Sequence, residues 1–443
     1  MRVLLASSYL GSGRPEPLVF PLGLSYLASL LKEDHELYSW DPNASEDPEG
    51  GLCDVLEKSD PDVVGVSFRN VDSVFSFNKR SYYPPFVRMI RTIKERVPSC
   101  KLVVGGAGFS IFAEEIMQRN PQIDFGVVSE GEHPFFELLR NLEHPERVRS
   151  IFLRKNDLVV STEKGNLADF DQLPPPFREL FDLGKYSSSL AAIGVQSKRG
   201  CSFGCVYCLH RFLMGSAYRL RSPRKVVDEI EELVTSHGIS SFYFVDAVFN
   251  VPLDHARKIC QEIMRRRLNV EWEACFRPDF VNASFVKEAV RAGCRLFDFS
   301  PDGASDGAME ALGKNLRVEH VERTLDLVGK MEEAKVAYEF MYDLPSDNAG
   351  HVRGLMRLFP KIMLRCRDRL RYLTLTRMRI FPHTQLYRTA LRQGRISETT
   401  DLIYPVHYES GSSKLATSIL PYSMRGSSIL FQKAVKVLEH SAA

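Results

Sequence analysis

Short β-rich runs alternate with helical patterns through most of this 443-residue chain, in two separate series. In the first, candidate strands at Arg2–Ser7, Glu36–Trp40, Asp62–Phe68, Lys101–Gly105 and Phe125–Ser129 are separated by helix-like segments near Leu22–Lys32, Pro85–Arg96, Ile111–Gln118 and Pro134–Leu142. Val63-Val64-Gly65-Val66 and Leu102-Val103-Val104 are apolar at successive positions, so both faces of those strands must be covered, as in a parallel sheet between helix layers. The pattern predicts an α/β fold that opens with a doubly wound, Rossmann-like domain over residues 1–161. A hairpin-like pair, Ile151–Arg154 and Leu158–Ser161, closes it.

Residues 162–190 read as a linker stiffened by Pro174-Pro175-Pro176. A second series follows, with candidate strands Ala191–Gln196, Ser241–Val245, Glu271–Phe276, Leu296–Ser300, Ala337–Tyr342 and Tyr372–Met378. Helical patterns at Pro223–His237, Leu253–Arg267 and Val318–Glu333 lie between them. Six parallel β/α units curl into an open, partial (β/α)6 barrel over residues 191–395, with a site expected at the carboxyl ends of its strands. Residues 396–443 form a short C-terminal extension, read as a small helical cap.

The first strand of that series leads into Arg199-Gly-Cys-Ser-Phe-Gly-Cys-Val-Tyr-Cys208. Cys201, Cys205 and Cys208 are spaced C-x3-C-x2-C on a glycine-punctuated loop, which can bring three thiolates to one face of an iron–sulfur cube. Such a [4Fe-4S] cluster keeps one iron without a protein ligand, open to a substrate or cosubstrate, whereas electron carriers use four cysteines. The competing assignment is structural zinc with His210 as fourth ligand. Zinc sites more often pair C-x2-C knuckles, and no second pair occurs here. Spacing, the preceding glycine and the downstream strands favour the cluster.

A formal net charge of +2 on 114 charged residues gives no electrostatic case for a nucleic-acid partner. No signal-peptide pattern and no apolar stretch of membrane-spanning length occurs. The other six cysteines are scattered, as in a protein kept in a reducing cytoplasm.

The cysteine run, including Tyr207 before the last cysteine, resembles the signature of the radical S-adenosylmethionine superfamily, and both halves together resemble its cobalamin-binding members. In the first half the resemblance rests on Pro21-Leu22-Gly23-Leu24, Gly65-Val66-Ser67, Gly105-Gly106-Ala107 and Ser129-Glu130-Gly131-Glu132. It implies that Pro21, Gly23, Ser67, Gly105, Gly106, Ala107, Glu130 and Gly131 border cobalamin. The D-x-H-x-x-G motif that supplies an axial histidine is absent, so cobalamin would lack a histidine lower ligand. His351-Val-Arg-Gly354 carries only the histidine half, in the second domain.

In the second half the resemblance implies S-adenosylmethionine contacts from Tyr207, from Asp246 at a strand end and from Arg277, whose planar fork suits a carboxylate. Asp302, in Ser300-Pro-Asp-Gly-Ala-Ser305, stands where relatives often have a glutamate. His383 and Tyr387, after the sixth strand, are candidates for a substrate or proton-transfer role. Arg377 and Arg379 share a face, either gripping an acidic substrate or serving structure.

The implied function is cobalamin-dependent radical methyl transfer to a small-molecule or natural-product substrate. Its cofactors are a [4Fe-4S] cluster, S-adenosylmethionine and cobalamin, and its electrons come from an external one-electron reductant such as flavodoxin or ferredoxin. Alternatives are a cyclisation or rearrangement, transfer of the 3-amino-3-carboxypropyl fragment, and a non-catalytic cobalamin sensor with a structural cluster.

Overall fold

The computed structural model describes residues 1–11, 18–76, 78–186, 192–328, 331–346 and 348–410, with the backbone of Met424–Arg425. The first sheet contains β1 (Arg2–Ser7), β2 (Glu36–Trp40), β3 (Val63–Ser67), β4 (Lys101–Gly105), β5 (Phe125–Val127), β6 (Ile151–Lys155) and β7 (Leu158–Ser161), in the order β2-β1-β3-β4-β5-β6-β7. The strands β1 to β5 run parallel, and the hairpin β6–β7 adds antiparallel at the edge. Val3, Leu4, Leu5 and Ala6 are all fully buried, as consecutive apolar residues under two helix layers must be. Strand order reverses between β1 and β3, which opens a crevice at their carboxyl ends.

The second sheet begins at β8 (Gly194–Val195). The short antiparallel pair β9 (Lys198–Arg199) and β10 (Arg219–Leu220) brackets the cysteine loop. Then follow β11 (Ser241–Phe244), β12 (Glu271–Phe276), β13 (Cys294–Asp302), β14 (Lys335–Tyr342) and β15 (Leu370–Arg377), with the antiparallel edge β16 (Met424–Arg425). The order is β16-β15-β14-β13-β12-β11-β8, so six parallel strands form the expected open barrel. Phe242, Phe244, Trp272, Phe276, Phe297, Phe299, Tyr338, Phe340, Leu373 and Leu375 point outward into the apolar layer beneath the helices. By alternation Tyr243, Glu273, Cys275, Asp298, Ser300, Glu339, Tyr372 and Thr374 line the interior. That interior is polar, unlike the branched aliphatic filling of a closed barrel.

Two expectations change. The stretch from residue 162 is a packed strap rather than a spacer. Phe170 is fully buried edge-on against Tyr26, with ring centroids 5.9 Å apart, and Tyr186 meets Phe20 at 5.3 Å. Its aromatic residues bury too much apolar surface for a free linker. Residues 187–191, including the start of the expected first barrel strand, lie outside the described residues. The C-terminal extension is not helical where it is described: residues 396–410 run beside the end of β15, where Ile380 N donates to Val406 O at 2.9 Å and Tyr408 N to Met378 O at 2.8 Å. The remainder of the expected cap, apart from β16, lies outside the described residues.

Candidate active site

Backbone contacts hold the cysteine loop from several sides. Gly200 has φ +86°, and a Cβ there would lie 2.0 Å from the Ala217 carbonyl, so only glycine serves. Cys201 N donates to Gly215 O at 3.2 Å, Val206 N to Leu312 O at 3.0 Å and Leu386 N to Val206 O at 2.8 Å. Asp246 braces the approach to the loop. Its carboxylate accepts from Ser197 N at 2.8 Å, Lys198 N at 3.2 Å and Lys198 Nζ at 3.1 Å, and Lys198 also reaches Phe249 O at 2.8 Å. The expected cosubstrate contact of Asp246 thus falls on a carboxylate already taken up by the chain.

Cys201, Cys205 and Cys208 are free thiols. Burial pushes the Cys208 thiol up to about 12, with Cys205 and Cys201 adding to it, and burial likewise raises Cys205. Buried, mutually repelling thiols keep their protons until a cation takes their place, and an all-sulfur donor set suits iron–sulfur chemistry. The three sulfurs do not all lie within 4.8 Å of one another. Ligands on one tetrahedral zinc at 2.3 Å would stand only about 3.8 Å apart. The loop therefore fits the wider face of a cluster better than a mononuclear site.

Next to the loop, Tyr207 Oη donates to Asp302 Oδ2, and Lys314 Nζ donates to the same oxygen. Lys314 also donates to Ser300 O at 2.7 Å. Burial opposes the Lys314 charge, but Asp302 and Cys205 outweigh it and raise its pKa. Arg277 donates to Asp279 Oδ1 at 2.9 Å and to Lys314 O at 2.7 Å, and lies 3.7 Å over the Phe203 ring. Its guanidinium is already engaged, so a carboxylate ligand would compete with Asp279.

Pro21, Gly23, Ser67, Gly105, Gly106, Ala107, Glu130 and Gly131 all border one cavity of about 360 Å³ at the carboxyl ends of β1, β3 and β4. Gly194, Gln196, Arg199, Met214 and Val245 of the second domain line it too. No histidine is among its lining residues, and Ser7, Ser8, Asn43, Ser67 and Ser129 offer hydrogen-bonding groups around its apolar floor. Bare strand ends with hydroxyl and amide partners fit a large amide-fringed ring such as cobalamin, and no lower axial histidine stands ready. Glu130 is held by Arg219, with Nη1 at 2.8 Å, and Arg199 binds Glu132 at 2.6 Å while lying 4.4 Å over Phe170.

His383 and Tyr387 flank Leu386, whose N–H meets the cysteine loop at Val206 O. They line a separate cleft of about 700 Å³, whose walls include none of the three cysteines. The His383 ring stacks on Phe212 at 4.1 Å, its Nε2 lies 3.1 Å from Ile111 O, and burial lowers its pKa. The imidazole is thus packed on one face and engaged at Nε2. Arg377 binds Asp343 and Glu409, and Arg379 is buried on Asp72, so the arginine pair serves structure. His351 bridges Ala304 N at 3.0 Å and Met341 O at 2.6 Å in the barrel wall. Sequence reasoning missed Lys314, Arg199 and Gln196. A lysine in a turn and polar residues flanking a motif carry no spacing signal of their own.

Among known families, the B12 binding domain matches residues 13–139 and the Radical SAM superfamily matches residues 195–359. An uncharacterized methyltransferase of Pyrococcus horikoshii is 28% identical over 67% of this chain and 63% of its own length. The anaerobic magnesium-protoporphyrin IX monomethyl ester cyclase of Synechocystis is 24% identical over 71% of this chain and, again, 63% of its own. The chain thus spans less than two thirds of either relative. The fold is similar to that of the radical S-adenosylmethionine methyltransferase TsrM from Kitasatospora setae, solved with tryptophan and a SAM analog, with a TM-score of 0.77 at 22% identity over 95% of this chain and 82% of that one.

Proposed function

We propose that this chain, which belongs to the radical S-adenosylmethionine proteins carrying a B12 binding domain, transfers a methyl group to a small-molecule substrate. One observation carries the reading: Gln196, Arg199 and Met214, which flank the cysteine loop, line the same cavity as the strand-end glycines of the first sheet. The two proposed cofactor sites would thus adjoin through these flanking residues.

Cys201, Cys205 and Cys208 would hold the cluster, while the ends of β1, β3 and β4 would cradle cobalamin. When bound, these groups supply reductive cleavage of S-adenosylmethionine to a 5′-deoxyadenosyl radical and a methyl group for the substrate radical. The chain's part is to fix the loop through Asp246 and Lys198, to hold Tyr207 through Asp302, and to keep water from the reacting atoms. Electrons would come from an external reductant such as flavodoxin or ferredoxin, in a reducing cytoplasm. No helix among the described residues is long and apolar enough to cross a membrane.

Anaerobic reconstitution with iron, sulfide and cobalamin, followed by reduction with S-adenosylmethionine, tests the reading. Formation of 5′-deoxyadenosine and a product heavier by one CH2 unit is expected, and triple replacement of the loop cysteines by Ala should abolish both. The cyclase among the relatives supports ring formation as a second reading. A product of unchanged carbon count would favour it.

A further inference from the structure

We propose that Tyr218 tunes the cluster: its hydroxyl donates a hydrogen bond to the Cys201 sulfur once that sulfur ligates iron, and so sets how readily the cluster accepts an electron. The inference rests on the cluster reading of the cysteine loop and adds a residue that adjusts its reduction.

The pairing of β9 with β10 sets Arg219 opposite Arg199 and Leu220 opposite Lys198. The two chains stay close beyond that pair. A Cβ on Gly200 would lie 2.0 Å from the Ala217 carbonyl, and Cys201 N donates to Gly215 O at 3.2 Å. Tyr218 therefore lies alongside the start of the cysteine loop. After burial, the group that acts most on its hydroxyl is Cys201, followed by Ser202. The Tyr218 oxygen is shut off from solvent and makes no hydrogen bond of normal length and angle.

A buried hydroxyl left without a partner destabilises the fold. The Cys201 thiol offers it only a weak acceptor, whereas a thiolate on iron carries charge and accepts well. Each of the other two sulfurs already faces a group that favours negative charge. Cys208 Sγ accepts from His210 N at 3.5 Å, and the Lys314 ammonium acts on Cys205 against the effect of burial. The His210 donor is backbone, and Lys314 is also held by Asp302 and the Ser300 carbonyl. Tyr218 is the side chain left for Cys201. Ser202 is exposed, so water can serve its hydroxyl.

Reduction places an extra electron on the iron and sulfur atoms. A hydrogen bond to a ligating sulfur stabilises the reduced form more than the oxidised one, and so raises the potential.

The test uses the full chain, reconstituted anaerobically with iron and sulfide, and reads the midpoint potential at neutral pH by redox titration with electron paramagnetic resonance. Tyr218→Phe keeps the ring and should bind the same iron and sulfide. Its reduction should be at least threefold less favourable, about 28 mV more negative at 59 mV per tenfold. A monofluorinated tyrosine placed at the same position is a stronger donor of nearly the same shape, and should move the potential the other way. That chain decides alone where Tyr218→Phe fails to hold its cluster. Ser202→Ala should leave the potential in place. Three results would overturn the inference: a potential unmoved by either change at Tyr218, shifts of both in one direction, or a Ser202→Ala shift as large as that of Tyr218→Phe. A wild-type chain that takes up no iron and sulfide would sink the cluster reading itself, and this inference with it. A normal cluster with an unmoved potential would sink only the role of Tyr218.

Discussion

Arg379 Nε donates to Asp72 Oδ2 at 2.7 Å, and both side chains are almost wholly withdrawn from solvent. The remaining guanidinium nitrogens donate to the carbonyls of Ile380, Val406, Leu402 and Tyr404. Asp72 belongs to the loop after β3 in the first domain, and Arg379 follows β15 of the barrel. Nearby, Ser76 N donates to Thr376 Oγ1 at 3.2 Å, so that loop is fastened along the barrel's last strand. Removing one partner of a buried pair strands the other charge, which typically costs about 3–5 kcal/mol. Asp72→Ala is therefore expected to lower the urea midpoint strongly, while Asp72→Ala with Arg379→Met should recover part of the loss.

A second pair of interactions bears on the cluster itself. Asp302 sits at φ +60° and gathers both Tyr207 Oη and Lys314 Nζ on one oxygen. Tyr207 immediately precedes Cys208, so the loop's last cysteine is positioned through this carboxylate. Asp302→Ala would leave the Lys314 ammonium buried without its main partner and free the tyrosine to rotate. Iron and sulfide retained per chain after desalting should fall several-fold. Asp302→Ala with Lys314→Met should regain stability without regaining full iron content, because the Tyr207 hydrogen bond stays broken.

The strands were legible because burial on both faces writes itself as runs such as Val63-Val64-Gly65-Val66, and the cysteine loop because its spacing has few uses. The eight first-domain positions carried over from the family motif all border one cavity. What stayed hidden depends on contacts distant in sequence. Nothing local distinguishes a histidine stacked on Phe212 from one facing substrate, and Arg379 is structural only because Asp72 lies 307 residues away. The polar lumen was hidden for the same reason: Glu273, Asp298 and Glu339 occur singly on three strands and come together only when those strands pair side by side.

Gly106 gives a prediction for the cobalamin cradle. Its φ of +97° favours glycine, and a Cβ there would meet the Phe68 carbonyl at 2.9 Å. Gly106→Val would have to shift the strand-end backbone that borders the cavity, at a cost of about 1–3 kcal/mol. Corrinoid retained after gel filtration should drop at least tenfold, while iron retained on the cysteine loop, which lies on the other domain, should change little.

Asp298 makes the pH dependence of stability informative. An unfolded aspartate titrates near 3.9, whereas burial and then Glu339 raise the folded carboxyl to about 8. Between those values the folded chain holds a proton that the unfolded chain has lost, so the contribution of this carboxyl to stability falls as pH rises from about 4 to 8. It levels off above that range, once both states are ionised. The difference amounts to on the order of 3 kcal/mol once relaxation around the buried carboxylate is allowed for. Asp298→Asn removes the titrating proton, so the variant should be the more stable protein at pH 8.5, with the gap closing toward pH 5. Thermal melts at half-unit pH steps would show it. A wild-type profile that rises from pH 5 to pH 8, with no difference from the variant, would place the Asp298 carboxylate in a far better solvated lumen than the one described.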